Sequence, residues 1–350
     1  MQAAWLDRGP LARALWPLAC LYRAVTAVRD GLYRLGWKRV EALPVPVLVI
    51  GNLVAGGAGK TPTLLALTEL LRRHGHTPGV ISRGHGRRAS EVVLVGGDTA
   101  VEDAGDEPLL IHLRSRAPVG VGRDRVAAGR ALLARHPGID LLLSDDGLQH
   151  RRLHRDAQVI VFDERGVGNG WLLPAGPLRE PCPAEPPARS LVVYNAPRPT
   201  TTWPGHTARR GLAGLVGLAD WWTGEPASAA ALAAFAGQTV LAAAGVARPG
   251  RFFGMLREAG LGVVELPLPD HHDYAALPWP ADAPRVVVTE KDAVKLRPGR
   301  PGTAGVWVAR LDFALGAEFE SELLALLPGP RASSFSTKPP PHDDHGHSIA

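Results

Sequence analysis

Between a short apolar run, Val45-Pro-Val-Leu-Val-Ile50, and a stretch of helical periodicity from Thr63 to His74 lies Gly51-Asn-Leu-Val-Ala-Gly-Gly-Ala-Gly-Lys-Thr61. Glycines at such a strand–loop–helix junction let backbone N–H groups curl around an anion, and the helix N-terminus adds partial positive charge. Val54, Ala55, Gly56, Gly57, Ala58 and Gly59 would form the cradle. Lys60 would reach the β- and γ-phosphates of ATP, and the Thr61 hydroxyl would ligate Mg²⁺. The strict pattern wants glycine at position 54, where this chain has valine, so Gly56 and Gly57 must supply the flexibility. Taken alone, the loop supports binding of a nucleoside triphosphate and nothing finer.

Further chemistry is spread along the chain. Leu141-Leu-Leu-Ser-Asp-Asp146 runs from an apolar strand into two carboxylates, the usual form of a second phosphate-loop motif. Asp145 and Asp146 would point to opposite sides of a continuing strand, one toward a metal and the other toward the loops; Asp-Asp-Gly is also ordinary turn chemistry. Phosphoryl transfer to a hydroxyl needs a group that takes or orients the acceptor's proton. Asp106 and Glu107, in Gly105-Asp-Glu-Pro108, are placed either to act there or to cap a helix. Asp270-His-His-Asp-Tyr274 offers a proton relay or a plain polar loop. Its adjacent histidines are badly spaced for one metal ion. Basic residues cluster at Ser82-Arg-Gly-His-Gly-Arg-Arg88, Arg123-Asp-Arg125 and His150-Arg-Arg152, each following a predicted strand or loop. Arginine forks match phosphate oxygens well.

The elements that must hold these residues are legible as alternation. Strands are expected at 45–50, 78–82, 92–95, 119–121, 139–143, 158–162 and 191–194, with helices at 63–74 and 126–135. That pattern predicts an α/β fold: a phosphate-loop NTPase-type, mostly parallel sheet covered by helices. A Gly/Pro-rich irregular stretch runs from Gly166 to about Pro187, a length that is uncommon unless functional. A Pro/Thr/Arg-rich segment at 198–210 suggests a boundary. Beyond it, strands at 239–244, 262–266, 285–289 and 306–309 with helices at 249–259 and 317–327 predict a second, smaller α/β unit. The domain reading is therefore 1–40, an N-terminal amphipathic segment; 41–205, the phosphate-loop domain; 206–328, the smaller α/β domain; and 329–350, a Pro-, Ser-, His- and Asp-rich tail that reads as disordered.

Bulk properties narrow the setting. A hydrophobic fraction of 45% over 350 residues supports a substantial core, and a net charge of +5 favours anionic partners without choosing among them. Cys20 and Cys182 have no metal-ligand spacing and cannot make a disulfide framework, so a reducing compartment with two structural thiols is expected. At the N-terminus, apolar residues including Trp5, Leu11, Trp16, Leu21, Val25 and Leu32 are interrupted by Arg13, Arg23, Arg29 and Arg34. Ala14 to Tyr22, the longest uncharged stretch, falls short of the ~20 residues of a bilayer span, and no cleavage site for a secretory signal follows it. Two readings stand: a helix lying in a membrane interface, or one packed on the protein's own core.

In combination, the motifs resemble one family, the tetraacyldisaccharide 4'-kinases of lipid A biosynthesis. The likeness is carried by the loop from Gly51 to Pro62, Ser82-Arg-Gly-His-Gly-Arg87, Gly105-Asp-Glu-Pro108 and Asp145-Asp-Gly-Leu-Gln-His150. Arg165-Gly-Val-Gly-Asn-Gly170 with Leu173-Pro-Ala-Gly-Pro-Leu-Arg-Glu180, and Thr289-Glu-Lys-Asp-Ala-Val-Lys295, complete it in the family's order. His85 departs from the pattern, which usually has an aromatic there. The resemblance implies transfer of the ATP γ-phosphate to the 4'-hydroxyl of a tetraacylated disaccharide 1-phosphate, giving lipid IVA. It implies Asp106 as general base with His271 orienting or relaying its proton, and Asp145 or Asp146, with Glu107, completing a Mg²⁺ site with Thr61. Arg83, Arg123 and Arg179 are implied as substrate contacts. The implied partners are the lipid-linked disaccharide and the cytoplasmic face of the bacterial inner membrane, bound peripherally or monotopically, with no nucleic acid; this favours the interfacial helix. Alternatives are a kinase or NTPase acting on another anionic acceptor, or a nucleotide-dependent switch. A guanine-reading switch would need Asn-Lys-x-Asp, and Thr289-Glu-Lys-Asp292 has the wrong spacing.

Overall fold

Short apolar runs that end in glycine, aspartate or asparagine form the strands, and the segments between them supply helices that cover both faces. The computed structural model describes residues 5–283 and 285–327; the tail read as disordered lies outside these residues. After α1 (Pro10–Arg34) come β1 (Val47–Gly51), α2 (Lys60–Arg73), β2 (Pro78–Ser82), β3 (Val93–Val95), α3 (Val101–Ala104) and α4 (Asp106–Ser115). Next are β4 (Val119–Val121), α5 (Arg125–Arg135), β5 (Leu141–Asp145), β6 (Ala157–Asp163), β7 (Ser190–Asn195) and β8 (His206–Thr207). The chain then continues through β9 (Arg209–Gly217), α6 (Leu218–Thr223), α7 (Ala229–Ala234), β10 (Thr239–Ala244) and α8 (Pro249–Glu258). It closes with β11 (Gly262–Pro267), β12 (Val286–Thr289), α9 (Glu290–Ala293), β13 (Val306–Ala314) and α10 (Ala317–Leu326).

Two sheets result. The first has the order β3-β4-β2-β5-β1-β6-β7-β8 and the second β11-β10-β12-β13-β9. Only β3 against β4 and β13 against β9 run antiparallel, so the expected mostly parallel character holds. In the first sheet the order reverses around β1, which lies between β5 and β6. Loops leaving the carboxyl ends at such a reversal open a crevice. Ile50 stands beside Asp145 in the register, so the phosphate loop and the Asp145-Asp146 pair leave the sheet at the same level. α2 lies between the sheets: Leu64, Leu67 and Leu71 share one apolar cluster with Val216, Val286 and Val308 of the second sheet.

Several elements differ from the sequence expectation. α4 begins at Asp106, where only a helix-starting proline had been legible; its Leu109, Leu110 and Ile111 are all buried, which hides the amphipathic period. β9 occupies part of the stretch read as a boundary, because pairing with β13 forms a strand that its glycines do not advertise. The Gly/Pro-rich stretch is irregular as expected, yet it is tied down by bridges of Leu178 to Val54 and Leu172. Cys182 packs at the margin of an apolar cluster, whereas Cys20 is exposed on α1, against the expectation that both thiols are structural.

One face of α1 packs on the protein's own core, as the core-helix reading expects, and the other face does not. Only Ala12 and Ala19 are buried in it, while Trp16, Leu18, Leu21, Val25 and Val28 are each at least half exposed. By length and composition α1 is apolar enough to cross a membrane, although charges interrupt its apolar stretches. Its inner face is fastened along its length: Ala19 joins a core cluster, the Tyr22 hydroxyl donates to Arg179 O at 2.8 Å, and Asp30 pairs with Arg151 at 3.1 Å.

Candidate active site

Glycine is required at the mouth of α2. Gly59 has φ 97°, and a Cβ there would stand 2.2 Å from Asn195 Nδ2. Asn195, at the end of β7, donates to Ala58 O at 3.0 Å, and Asn52 donates to Val54 O at 2.6 Å and Gly56 O at 3.2 Å. Arg165 reaches Ala55 O at 3.1 Å while held by Asp163. Carbonyls of the loop are thereby turned toward side-chain donors, which leaves amide hydrogens for an anion. Val54, the departure from the strict pattern, is fully buried and bridges Leu178 in strand fashion, so the glycine freedom that position usually needs is not used. Lys60 Nζ lies 3.2 Å from Asn52 Oδ1 and 3.6 Å from Asp146 Oδ1, and Thr61 follows it in the first turn of α2.

The two carboxylates after β5 do face different partners. Asp145 is enclosed and accepts from Ser82 Oγ at 3.0 Å through one oxygen; its Oδ1 is buried with no hydrogen-bond partner. Burial, with the charges of Glu107 and Asp146, pushes its pKa up to about 7. Asp146 takes φ 46°, which ends the strand, and pairs with Arg179 at 2.8 Å. Burial opposes its charge, but Lys60 and Arg179 outweigh burial and hold its carboxyl below the ordinary range. Among the described residues no three His, Cys, Asp or Glu side chains form a ready-made metal cage. An orphaned Asp145 oxygen beside other carboxylates nevertheless fits Mg²⁺, which is commonly held by one or two carboxylates plus substrate phosphates and water.

Opposite the loop, the sheets meet at Asp106. His271 Nδ1 lies 2.8 Å from Asp106 Oδ2, and Glu107 N donates to Asp106 Oδ1 at 2.9 Å. α4 carries Asp106 from the first sheet, and the loop after β11 carries His271 from the second. Arg114 of α4 joins Glu290 of α9 at 2.8 Å, which pins the two elements together. His271 itself has φ 61° and donates its backbone N–H to Gly245 O at 3.2 Å. Burial works against the Asp106 charge, but the His271 hydrogen bond and the ammonium groups of Lys291 and Lys295 prevail and hold it below the ordinary carboxylate range. The same hydrogen bond holds His271 above the ordinary imidazole range, against burial and the Lys291 charge.

The phosphate loop, Asp145, Asp146, Asp106, Glu107 and His271 line one cavity of about 1560 Å³. Arg83 and Arg123 stand exposed at its wall, and His85 places its ring 5.9 Å from that of His271. Arg179 lines it too, with its guanidinium engaged by Asp146. Sequence reasoning did not single out Asn52, Asp163, Lys291 or Lys295. Asn52 and Asp163 follow or end a buried strand, a position that signals the ligand edge. The two lysines sit in the Thr289–Lys295 motif, where Thr289 caps α9. Nothing in their spacing foretells Lys295 Nζ at 3.8 Å from Asp106 Oδ2, or Lys291 Nζ at 3.2 Å from Glu107 Oε1.

Comparison with known proteins gives a consistent picture. The family described as LpxK, tetraacyldisaccharide-1-P 4'-kinase, matches residues 11–328. The tetraacyldisaccharide 4'-kinase of Leptothrix cholodnii is 57% identical over 336 residues, covering 95% of this chain and 96% of that protein. Its counterpart from Methylibium petroleiphilum is 60% identical over 316 residues, covering 89% of this chain and 88% of that one. Among solved structures, LpxK from Aquifex aeolicus in complex with ATP is similar with a TM-score of 0.75 at 27% identity, over 91% of this chain and 100% of that one.

Proposed function

The chain belongs to the tetraacyldisaccharide 4'-kinase family, and from that premise we propose which of its residues carry out the reaction and where. It is an ATP-dependent 4'-kinase of lipid A biosynthesis, a phosphotransferase with an alcohol acceptor. The acceptor is a tetraacylated disaccharide 1-phosphate and the product lipid IVA. Asp106 takes the proton of the acceptor's 4'-hydroxyl as that oxygen attacks the γ-phosphorus; the bond from the γ-phosphorus to the β–γ bridging oxygen breaks, and ADP leaves. His271 orients the Asp106 carboxylate through its ring N–H. The loop amides and Lys60 hold the β- and γ-phosphates. Thr61, Asp145, Asp146 and Glu107 are the residues that would hold Mg²⁺, which neutralises charge on the transferring phosphate when bound. Arg83 and Arg123 receive the anionic acceptor at the cavity wall.

The observation that carries this reading is the 2.8 Å contact of Asp106 and His271 in the same cavity as the phosphate loop. Its test is phosphate transfer from labelled Mg-ATP to the lipid disaccharide. Wild-type protein should yield a 4'-phosphorylated lipid, and Asp106→Ala should lose at least ~100-fold in turnover, the general-base range, while retaining ATP binding. Near-normal turnover in that variant removes Asp106 from its role.

Membrane association accompanies this chemistry. The outward apolar face of α1, with its inner face fastened to the protein, supports a helix lying in the interface rather than spanning it. We place it on the cytoplasmic face of the inner membrane. Beside α1 a cavity of about 1220 Å³, lined by Trp16, Ala19, Trp171, Leu172 and Trp203, offers apolar surface to acyl chains.

A further inference from the structure

Lys291 stands where two functions meet. Its ammonium is 3.2 Å from Glu107 Oε1, 3.6 Å from Asp270 Oδ1 and 3.3 Å from His271 Nε2. An ammonium has three donors and no acceptor. The carboxylates of Glu107 and Asp270 flank it, so it stands here as a cationic donor. A neutral imidazole nitrogen 3.3 Å from such a group can only accept from it, which places the ring proton on the other nitrogen. That nitrogen, Nδ1, faces Asp106 Oδ2 at 2.8 Å. Asp270 Oδ1 lies 3.9 Å from Nε2, beyond hydrogen-bond reach for a proton there.

We propose that Lys291 is a positioning residue that holds His271 as the neutral Nδ1–H imidazole, so that the ring donates to Asp106 and takes no second proton on Nε2. This rests on the reading of Asp106 as the base. The other charged or titratable groups around the ring are His85, whose ring is 5.9 Å away, and Lys295, which approaches Asp106 rather than His271. Neither offers a donor to Nε2 at the distance that Lys291 does. Without Lys291 the Asp106 carboxylate still holds the proton on Nδ1, but nothing opposes a second proton on Nε2, and an imidazolium paired with Asp106 weakens it as a base. The loss falls on rate rather than on substrate binding.

The test combines nitrogen NMR with kinetics. In ¹⁵N-histidine protein, the His271 signals are identified by their loss in His271→Asn, which is needed because the chain has 13 histidines. In wild-type protein at alkaline pH, above the raised imidazole range, His271 should show Nδ1 protonated and Nε2 unprotonated. Lys291→Met should keep His271 doubly protonated to higher pH and lower kcat at least ~10-fold, part of the general-base contribution, with KM for ATP little changed. Lys291→Arg, which keeps a cationic donor, should restore both the signature and most of the rate. A neutral wild-type His271 with its proton on Nε2 overturns the proposal, as does a Lys291→Met protein with unchanged His271 titration and rate. If Lys291→Met does not fold, the wild-type spectrum and Lys291→Arg still decide. If Asp106→Ala retains turnover, the base reading fails instead, whatever the tautomer.

Discussion

Asp145 is enclosed, one of its oxygens lacks any hydrogen-bond partner, and its carboxyl titrates near 7. An acid whose folded pKa is raised costs stability where it must ionise. The penalty is absent below the unfolded value near 3.8, grows as pH rises toward 7, and is complete above it. Asp145→Asn should therefore raise the melting temperature of metal-free protein, with a larger gain at pH 8 than at pH 5, and should abolish further stabilisation by Mg-ATP over ATP alone. Thermal melts with and without Mg²⁺ check this. A variant less stable at both pH values would make the bond to Ser82 the dominant role of Asp145. Asp106 obeys the opposite sign: its depressed pKa adds stability that is lost only as pH falls through that lowered value.

At the scale of elements, α1 carries a prediction of its own. Leu18, Leu21, Val25 and Val28 are 53–64% exposed, so replacing all four by serine should leave the melting temperature nearly unchanged. Partition onto anionic vesicles should fall at least ~10-fold, because burial of even one such side chain is worth about 1.5–3 kcal/mol. Calorimetry reads the first effect and a vesicle co-sedimentation assay the second; a large drop in melting temperature would mean that this face packs against protein. Elements like β1, β2 and β5 were legible because buried parallel strands are short apolar runs with a turn residue at the end. α4 and β9 were not, since continuous burial erases the period of one and tertiary pairing creates the other. The same divide runs through the site. Local spacing exposes Gly56, Gly59, Lys60 and Thr61 as one device, whereas the approach of His271 and Lys295 to Asp106 depends on how two sheets pack.

Across the whole molecule, the sheets are joined by charge as well as by their shared apolar core. Asp163, almost wholly buried at the end of β6, pairs with Arg165 and with Arg248 at the start of α8, while Glu164 pairs with Arg248 and Arg251. Arg165 in turn braces Ala55 and Gly57 of the phosphate loop. Asp163→Asn would leave Arg165 without its carboxylate and Arg248 with Glu164 alone, and losing a hydrogen bond to a charged group costs about 1.5–3 kcal/mol. It should lower the melting temperature by several degrees and weaken ATP binding at least ~10-fold, equal to about 1.4 kcal/mol; calorimetric titration with ATP measures it. Stability lost with unchanged ATP affinity would uncouple the junction from the loop. The position of Asp106 and His271 on opposite sides of this junction also has a temporal meaning. They lie 165 residues apart in the chain, so the ribosome delivers the acid roughly 10–30 s before its partner. α1 and the phosphate loop emerge earlier still. A nascent chain thus holds its apolar helix and its phosphate loop well before the residue that completes the Asp106 pair exists.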